Sequence, residues 1–224
     1  MCRVIEAAGL APRGGFHPVR DDAVPDLSDG RAAETLVLVG VVGRSSWQAF
    51  QGAREARLEA NPLDRWSRRV IDGLAARLRC EALYPFGGPP FLPFVRWAQR
   101  AEPVHPSPIG PLIHPDYGLW HAYRGALAFG QRIDLPRRDP RPRPCDSCID
   151  KPCLDTCPVG AFSRAGYDVP ACIGHIATDS GRECLEGGCL ARRACPVGAE
   201  HRYERAQMEF HMRAFLQANR RRSS

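Results

Sequence analysis

Eight cysteines fall within 51 consecutive positions, Cys145 to Cys195, and their spacing limits this chain more than any other feature. The first group reads Cys145-x2-Cys148-x4-Cys153-x3-Cys157-Pro158. The second is looser, with Cys172 alone and then Cys184-x4-Cys189-x5-Cys195-Pro196. Both groups end in C-P-V-G-A, at 157–161 and 195–199, and an internal repeat of this kind points to two similar halves. Close-spaced cysteines on a turning loop can supply three thiolates to one four-iron cubane, with backbone amides aimed at the sulfurs. The cysteine before the proline then leaves the loop and reaches the neighbouring cluster. By that logic Cys145, Cys148, Cys153 and Cys195 hold one cluster, and Cys157, Cys172, Cys184 and Cys189 hold the other.

Two tetrahedral zinc sites are the competing reading, since eight thiolates also divide into two sets of four. Zinc ribbons separate their C-x2-C pairs widely, whereas here four cysteines crowd into the 13 positions 145–157 and each half ends in Cys-Pro. That pattern favours clusters. The irregular second spacing leaves the ligand partition open, and with it a three-iron centre at either site. Cys2 and Cys80 stand apart and read as a surface thiol and a small apolar filler.

Cysteines in such number fit metal binding in a reducing compartment better than disulfides, so the expected location is the cytoplasm. The first dozen residues lack the basic segment, apolar stretch and cleavage site of a signal peptide. No apolar run approaches the roughly 18 residues of a membrane span. Net charge is +6, carried almost wholly by arginine. Its dense stretches, Arg137 to Arg143 among prolines and Arg220 to Arg222 at the end, read as a solvated linker and a frayed terminus. No nucleic-acid partner is expected from them, because that would take a concentrated basic stripe. A redox partner protein is expected.

Along the chain, residues 1–34 show no sustained period and are expected to be an irregular lead-in. Thr35 to Gly43 is a β-branched and leucine run bounded by glycine, which suits a strand buried on both faces. Its glycines lack the G-x-G-x-x-G spacing of a dinucleotide loop. From Asn61, a candidate cap, and Pro62, the residues Leu63, Trp66, Val70, Ile71, Leu74 and Leu78 recur at helical spacing. A short helix is expected around Phe94 to Ala101, and two short strands between Tyr117 and Ile133. The alternating prolines of 135–144 mark a boundary. After Cys195, residues 200–219 lack proline and glycine, and Tyr203, Ala206, Phe210 and Ala214 outline the apolar face of a terminal helix.

The cysteine layout resembles the two-cluster ferredoxin domain of epoxyqueuosine reductase, where a compact first motif is followed by an isolated cysteine, matched here by Cys172-Ile173, and then by a shorter group ending in Cys-Pro. The segment 113–125, IHPDYGLWHAYRG, resembles the I-H-P-x-[FY]-G-x-W-x-A-x-R-G segment of the CblC cobalamin-processing proteins. Together these resemblances imply an α+β fold: a nitroreductase-like, CblC-like domain over 35–139, a two-cluster ferredoxin-type domain over 140–200, and a C-terminal helix with a basic tail over 201–224. The implied cofactors are two [4Fe-4S] clusters and a corrinoid. His114, Trp120 and Arg124 are the residues the second resemblance would place at the corrinoid, Arg124 by pairing with a carboxylate or phosphate of its tail. A structural role competes at each: a hydrogen-bonded histidine at His114, and core packing at Trp120 and Tyr123.

Two departures bear on chemistry. Asp116 stands where CblC carries an arginine associated with glutathione use, and no counterpart of the reductase's D-S-A-P segment occurs. Three functions follow as expectations: electron transfer alone, a cobalamin-dependent reductive enzyme of the oxidoreductase class, or a corrinoid-trafficking protein without turnover.

Overall fold

The computed structural model of the chain describes residues 1–58, 60–163 and 166–220. Helices and strands are mixed. The elements in order are α1 (Cys2–Ala7), β1 (Ala11–Phe16), β2 (Thr35–Val42), α2 (Trp47–Gln51), α3 (Pro62–Leu78), β3 (Glu81–Leu83) and α4 (Phe94–Ala101). Then come β4 (His105–Pro106), β5 (Leu112–Ile113), β6 (His121–Phe129), α5 (Pro152–Asp155), β7 (Phe162–Ser163) and β8 (Gly166–Tyr167). The chain continues through α6 (Val169–Ile176), α7 (Arg182–Gly187), α8 (Leu190–Arg193) and α9 (Arg205–Arg220). Two compact units result, Met1–Val104 with His121–Arg141, and His105–Trp120 with Pro142–Ser224. Nothing in the sequence announces the transfer of 105–120 to the second unit.

In the first unit an antiparallel sheet runs in the order β1-β2-β6-β3. β2 is an inner strand buried along almost its whole length, as its β-branched run leads one to expect. β1 belongs to what was expected to be an irregular lead-in. Its Pro12 and its Gly14-Gly15 pair hide any alternation, and a register shift between Pro12 and Gly15 lets the strand pair with β2 in spite of them. The stretch expected to give two strands gives one, β6. Gly125 marks a bulge rather than a break: Val39 pairs with Gly125 and Gly40 with Tyr123, leaving Arg124 as the extra residue.

Helix α3 begins at Pro62 as the pattern predicts. Asn61 does not cap it through its side chain; it sits in the left-handed region at φ 49° and supplies only its carbonyl, to the Arg65 amide. Helix α4 matches its expected bounds because Phe94, Trp97, Ala98 and Ala101 form one buried stripe. Trp97 is fully buried and donates its indole N–H to the Asp22 carbonyl at 2.7 Å.

Arg13 is the one fully buried cation among the described residues. Its Nη2 meets Glu102 Oε2 at 2.7 Å and its Nη1 meets the Val41 carbonyl at 3.2 Å. The Tyr123 hydroxyl donates to the same Glu102 oxygen at 2.7 Å. A buried pair of charges survives desolvation only when its remaining donors and acceptors are used, and this arrangement uses them. Burial, set against Arg13 and reinforced by Glu102, pushes the Tyr123 phenol far up, so it stays a donor.

The second unit is built from short pieces. Its two buried clusters are both organised around cysteines. One gathers Ile109, Ile113, Leu119 and Ala191 with Cys145, Cys153 and Cys195. The other gathers Ile176 and Leu216 with Cys184, and Cys172 packs against it. The terminal helix forms, with a face different from the expected one. Ala206 and Ala214 are exposed, while Gln207 and Leu216 are buried. The helix packs against α7 through Met212, Phe215 and Leu216, and that contact sets its rotation. Of the expected basic tail, Arg221 and Arg222 lie outside the described residues.

Candidate metal centre

The eight cysteines of the second unit are buried or half-buried, whereas Cys2 is exposed. Cys80 belongs to the first unit, where burial and then Glu81 push its thiol up to about 12. That thiol stays protonated, in keeping with a filler role.

Charge coupling among the eight reveals which thiols are neighbours. Burial raises the Cys153 thiol, and Cys195, Cys145 and Cys148 raise it further. Burial likewise raises Cys195, with Cys145 and Cys148 adding to it. In the second group Cys172 feels Cys157 and Cys184, Cys184 feels Cys157, and Cys189 feels Cys184 and Cys172, each after burial itself. Charge coupling thus ties Cys195 to the first motif and Cys157 to Cys172 and Cys184, while by packing Cys157 and Cys189 also lie against the cluster of Cys145, Cys153 and Cys195.

Backbone amides point at these sulfurs. The Ala161 amide donates to Cys157 Sγ at 3.4 Å. Amides of Val197, Leu190, Ala191 and Arg192 do the same for Cys195, Cys184 and Cys189, offsetting part of the burial effect. Such donors stabilise a negatively charged thiolate set. Among the described residues no group of three or more His, Cys, Asp or Glu side chains is gathered as one metal ion requires. A cubane makes a different demand. Zinc–thiolate bonds of about 2.3 Å draw four sulfurs together, whereas an iron–sulfide core stands between its ligands and spaces them apart.

The segment 113–120 is tied into this unit by its backbone. His114 and Gly118 exchange both backbone hydrogen bonds at 2.9 Å, and Ile113 and Leu119 pack with Cys145, Cys153 and Cys195. Gly118 (φ 54°) and Gly198 (φ 66°) meet face to face. A Cβ on Gly118 would lie 1.8 Å from the Val197 carbonyl oxygen, and one on Gly198 2.3 Å from the Tyr117 carbonyl carbon. Only glycine satisfies both the backbone angle and the approach. In the other copy of C-P-V-G-A, Gly160 has a positive φ but open space around it.

No protein-family profile and no curated protein sequence matches the chain. Solved structures do. The B12-trafficking protein CblC of C. elegans matches with a TM-score of 0.50 at 17% identity, over 96% of this chain and 93% of that one. The chain has a related fold. Epoxyqueuosine reductase of Bacillus subtilis gives a TM-score of 0.48 at 17% identity, over 92% of this chain and 68% of that one. A second epoxyqueuosine reductase structure, with a modified tRNA-Tyr stem loop, gives 0.47 at 16%, and the chain spans 66% of its length.

The residues suggested for a corrinoid divide between the units. His114 and Trp120 belong to the second and Arg124 to the first. His114 is buried, stacks on Tyr117 at 4.3 Å, and accepts the Asp116 amide at Nδ1, 3.0 Å away. Trp120 is buried against Tyr203, and the Arg192 guanidinium lies 4.5 Å from its ring centre. Arg124, placed by the β6 bulge, reaches Asp64 Oδ1 at 2.5 Å and Ser67 Oγ at 2.9 Å. Arg192 escaped sequence reasoning; its signal was a position between Cys189 and Cys195, within the second motif.

Proposed function

We propose that the second unit binds two four-iron clusters, one on Cys145, Cys148, Cys153 and Cys195 and one on Cys157, Cys172, Cys184 and Cys189, and that the protein works by moving electrons. The observation that carries this reading is the gathering of all eight buried or half-buried thiols in one unit, with Cys195 coupled to the first motif and Cys157 to Cys172 and Cys184. The donor chemistry agrees, being wholly thiolate with amides turned toward the sulfurs. When bound, such clusters exchange single electrons at potentials set by charge, hydrogen bonds and exposure. The chain's own contribution is to hold the thiolates, to bury most of them, and to supply the amide donors.

Protein prepared without oxygen is expected to be brown and to hold about eight irons and eight labile sulfides, four of each per cubane. Cys157→Ala should remove the cluster of the Cys172 set and spare the other. Two zinc ions without labile sulfide would sink the proposal, and loss of the first cluster alone in Cys157→Ala would overturn the partition.

A corrinoid is the electron acceptor we propose for a second, finer reading, supported by the fold likeness to CblC and by the 113–125 segment. Arg124 has donors beyond those used by Asp64 and Ser67 and is the anchor assigned to a ligand anion. Titration with cob(II)alamin should shift its absorption and EPR spectra, and Arg124→Ala should weaken binding about tenfold, equivalent to about 1.4 kcal/mol. No spectral change at high micromolar corrinoid would leave a plain electron carrier. Binding without cluster-driven reduction would mark a trafficking protein, and binding with reduction to cob(I)alamin a reductive enzyme.

A further inference from the structure

The second unit carries an open groove of about 590 Å³, formed by the end of α6, the turn Asp179–Gly181, α7 and the C-terminal half of α9. Its lining combines Ile176, Leu185 and Leu216 with Arg182, Arg213 and Arg220. The apolar three sheathe one of the cysteine groups: Ile176 and Leu216 share a buried cluster with Cys184, and Leu185 and Cys172 pack against it. A single layer of side chains thus separates the groove from these sulfurs. The wall is fixed in advance. Thr178 Oγ1 donates to the His175 carbonyl at 2.7 Å, and a Cβ on Gly181 would lie 2.0 Å from the same oxygen, so only glycine lets the turn close on α6.

Charge sits on the rim. Arg182 pairs with Asp179 at 2.7 Å and Arg213 with Glu209 at 2.6 Å, both in contact with solvent. Exposed ion pairs contribute little, so incoming carboxylates can replace Asp179 and Glu209 at small cost. The other acid of the lining, Glu186, is held by Arg205 at 3.2 Å. Resting on the two-cluster reading, we propose that this groove docks an acidic one-electron carrier protein that reduces the cluster of the Cys172 set. Carboxylates of the carrier take the guanidinium groups, and an apolar side chain enters over Ile176, Leu185 and Leu216. One electron leaves the reduced carrier, which is oxidised, and enters the cluster, which is reduced; no bond is made or broken. A nucleic acid would also bring anions, but the described lining offers no aromatic ring for a base to stack on and includes Asp179 and Glu186.

The test uses the full chain reconstituted without oxygen, with iron and sulfide counted first and cluster reduction followed by stopped-flow absorbance. The donors are reduced plant-type two-iron ferredoxin, an acidic carrier, and dithionite, which needs no docking and checks that the clusters of each variant still accept electrons. Reversing two rim charges, Arg182→Glu with Arg213→Glu, should slow reduction by ferredoxin about tenfold and flatten its fall with rising salt, because steering by opposite charges is lost. Arg137→Glu with Arg138→Glu changes the net charge equally in the proline-rich stretch and should slow it far less. If the groove variant loses iron, Arg182→Gln with Arg213→Gln replaces it, and a smaller slowing in the same direction is expected. Equal slowing by the two charge reversals, or an unmoved ferredoxin rate in an iron-replete groove variant, would overturn this inference alone. An RNA oligonucleotide bound through Arg182 and Arg213, with ferredoxin rates unmoved, would give the groove to nucleic acid and overturn it as well. Wild-type protein without labile sulfide would instead overturn the reading beneath it.

Discussion

In the first unit β2 and β6 bury Leu36, Leu38, Val39 and Leu127, with Ile71 of α3 and Trp97 of α4 among the other fully buried side chains. In the second unit both buried clusters contain the thiols themselves. The first is a core of apolar transfer with one satisfied ionic network. The second has helices of four to eight residues apart from α9, far shorter than helices that are stable alone. On the proposed two-cluster reading, the order of such short pieces depends on what the thiols bind, and function and stability would then rest on the same atoms in this unit as they do not in the first.

The largest expected effect tests that contrast directly. Stripping iron from reconstituted protein with a chelator should release the amides of α5 to α8 into fast hydrogen exchange while β2 and β6 stay protected. Equal protection of both units after stripping would break the comparison. The converse is smaller and local to the first unit. Trp97→Ala empties a fully buried site and removes the Asp22 hydrogen bond, costing about 3–5 kcal/mol in denaturant unfolding with iron content unchanged. Loss of iron in that variant would show that the units do not stand independently.

The smallest effect concerns pH. Arg69, hydrogen-bonded to Glu55 at 2.5 Å, holds that carboxyl at about 2, below its ordinary 4.5. The depressed value contributes stability that is complete above pH 4.5 and is lost as pH falls toward 2. Half-exposure of Arg69 keeps the effect modest and salt-sensitive. Glu55→Gln should flatten the acid limb of the first unit's unfolding curve, followed by tryptophan fluorescence, and leave the neutral limb in place.

Legibility in the sequence followed the same division. α3, α4 and β2 could be read because their apolar residues recur at fixed spacing or run unbroken. β1 could not, since Pro12 and the Gly14-Gly15 pair erase alternation and the bulge that rescues the strand is set by its partner. The face of α9 was misjudged for a similar reason: the α7 contact, a long-range one, decides which side is buried. The eight cysteines were visible from spacing alone.

The grouping of residues 105–120 with the cysteine unit also has a consequence for synthesis. The ribosome releases this stretch before β6, yet the glycine-to-backbone fit of Gly118 awaits Val197 and Gly198 near the end of the chain. Meanwhile β2 lacks its neighbour β6 and exposes an unpaired edge until residue 129 has emerged. All residues of the first unit have therefore emerged by residue 141, whereas the second must hold 105–120 in waiting until 197–198 arrive. A fragment starting at residue 140 would carry every clustered cysteine and still lack Ile113, Leu119 and the Gly118 contact, so it is expected to be a poor carrier of metal.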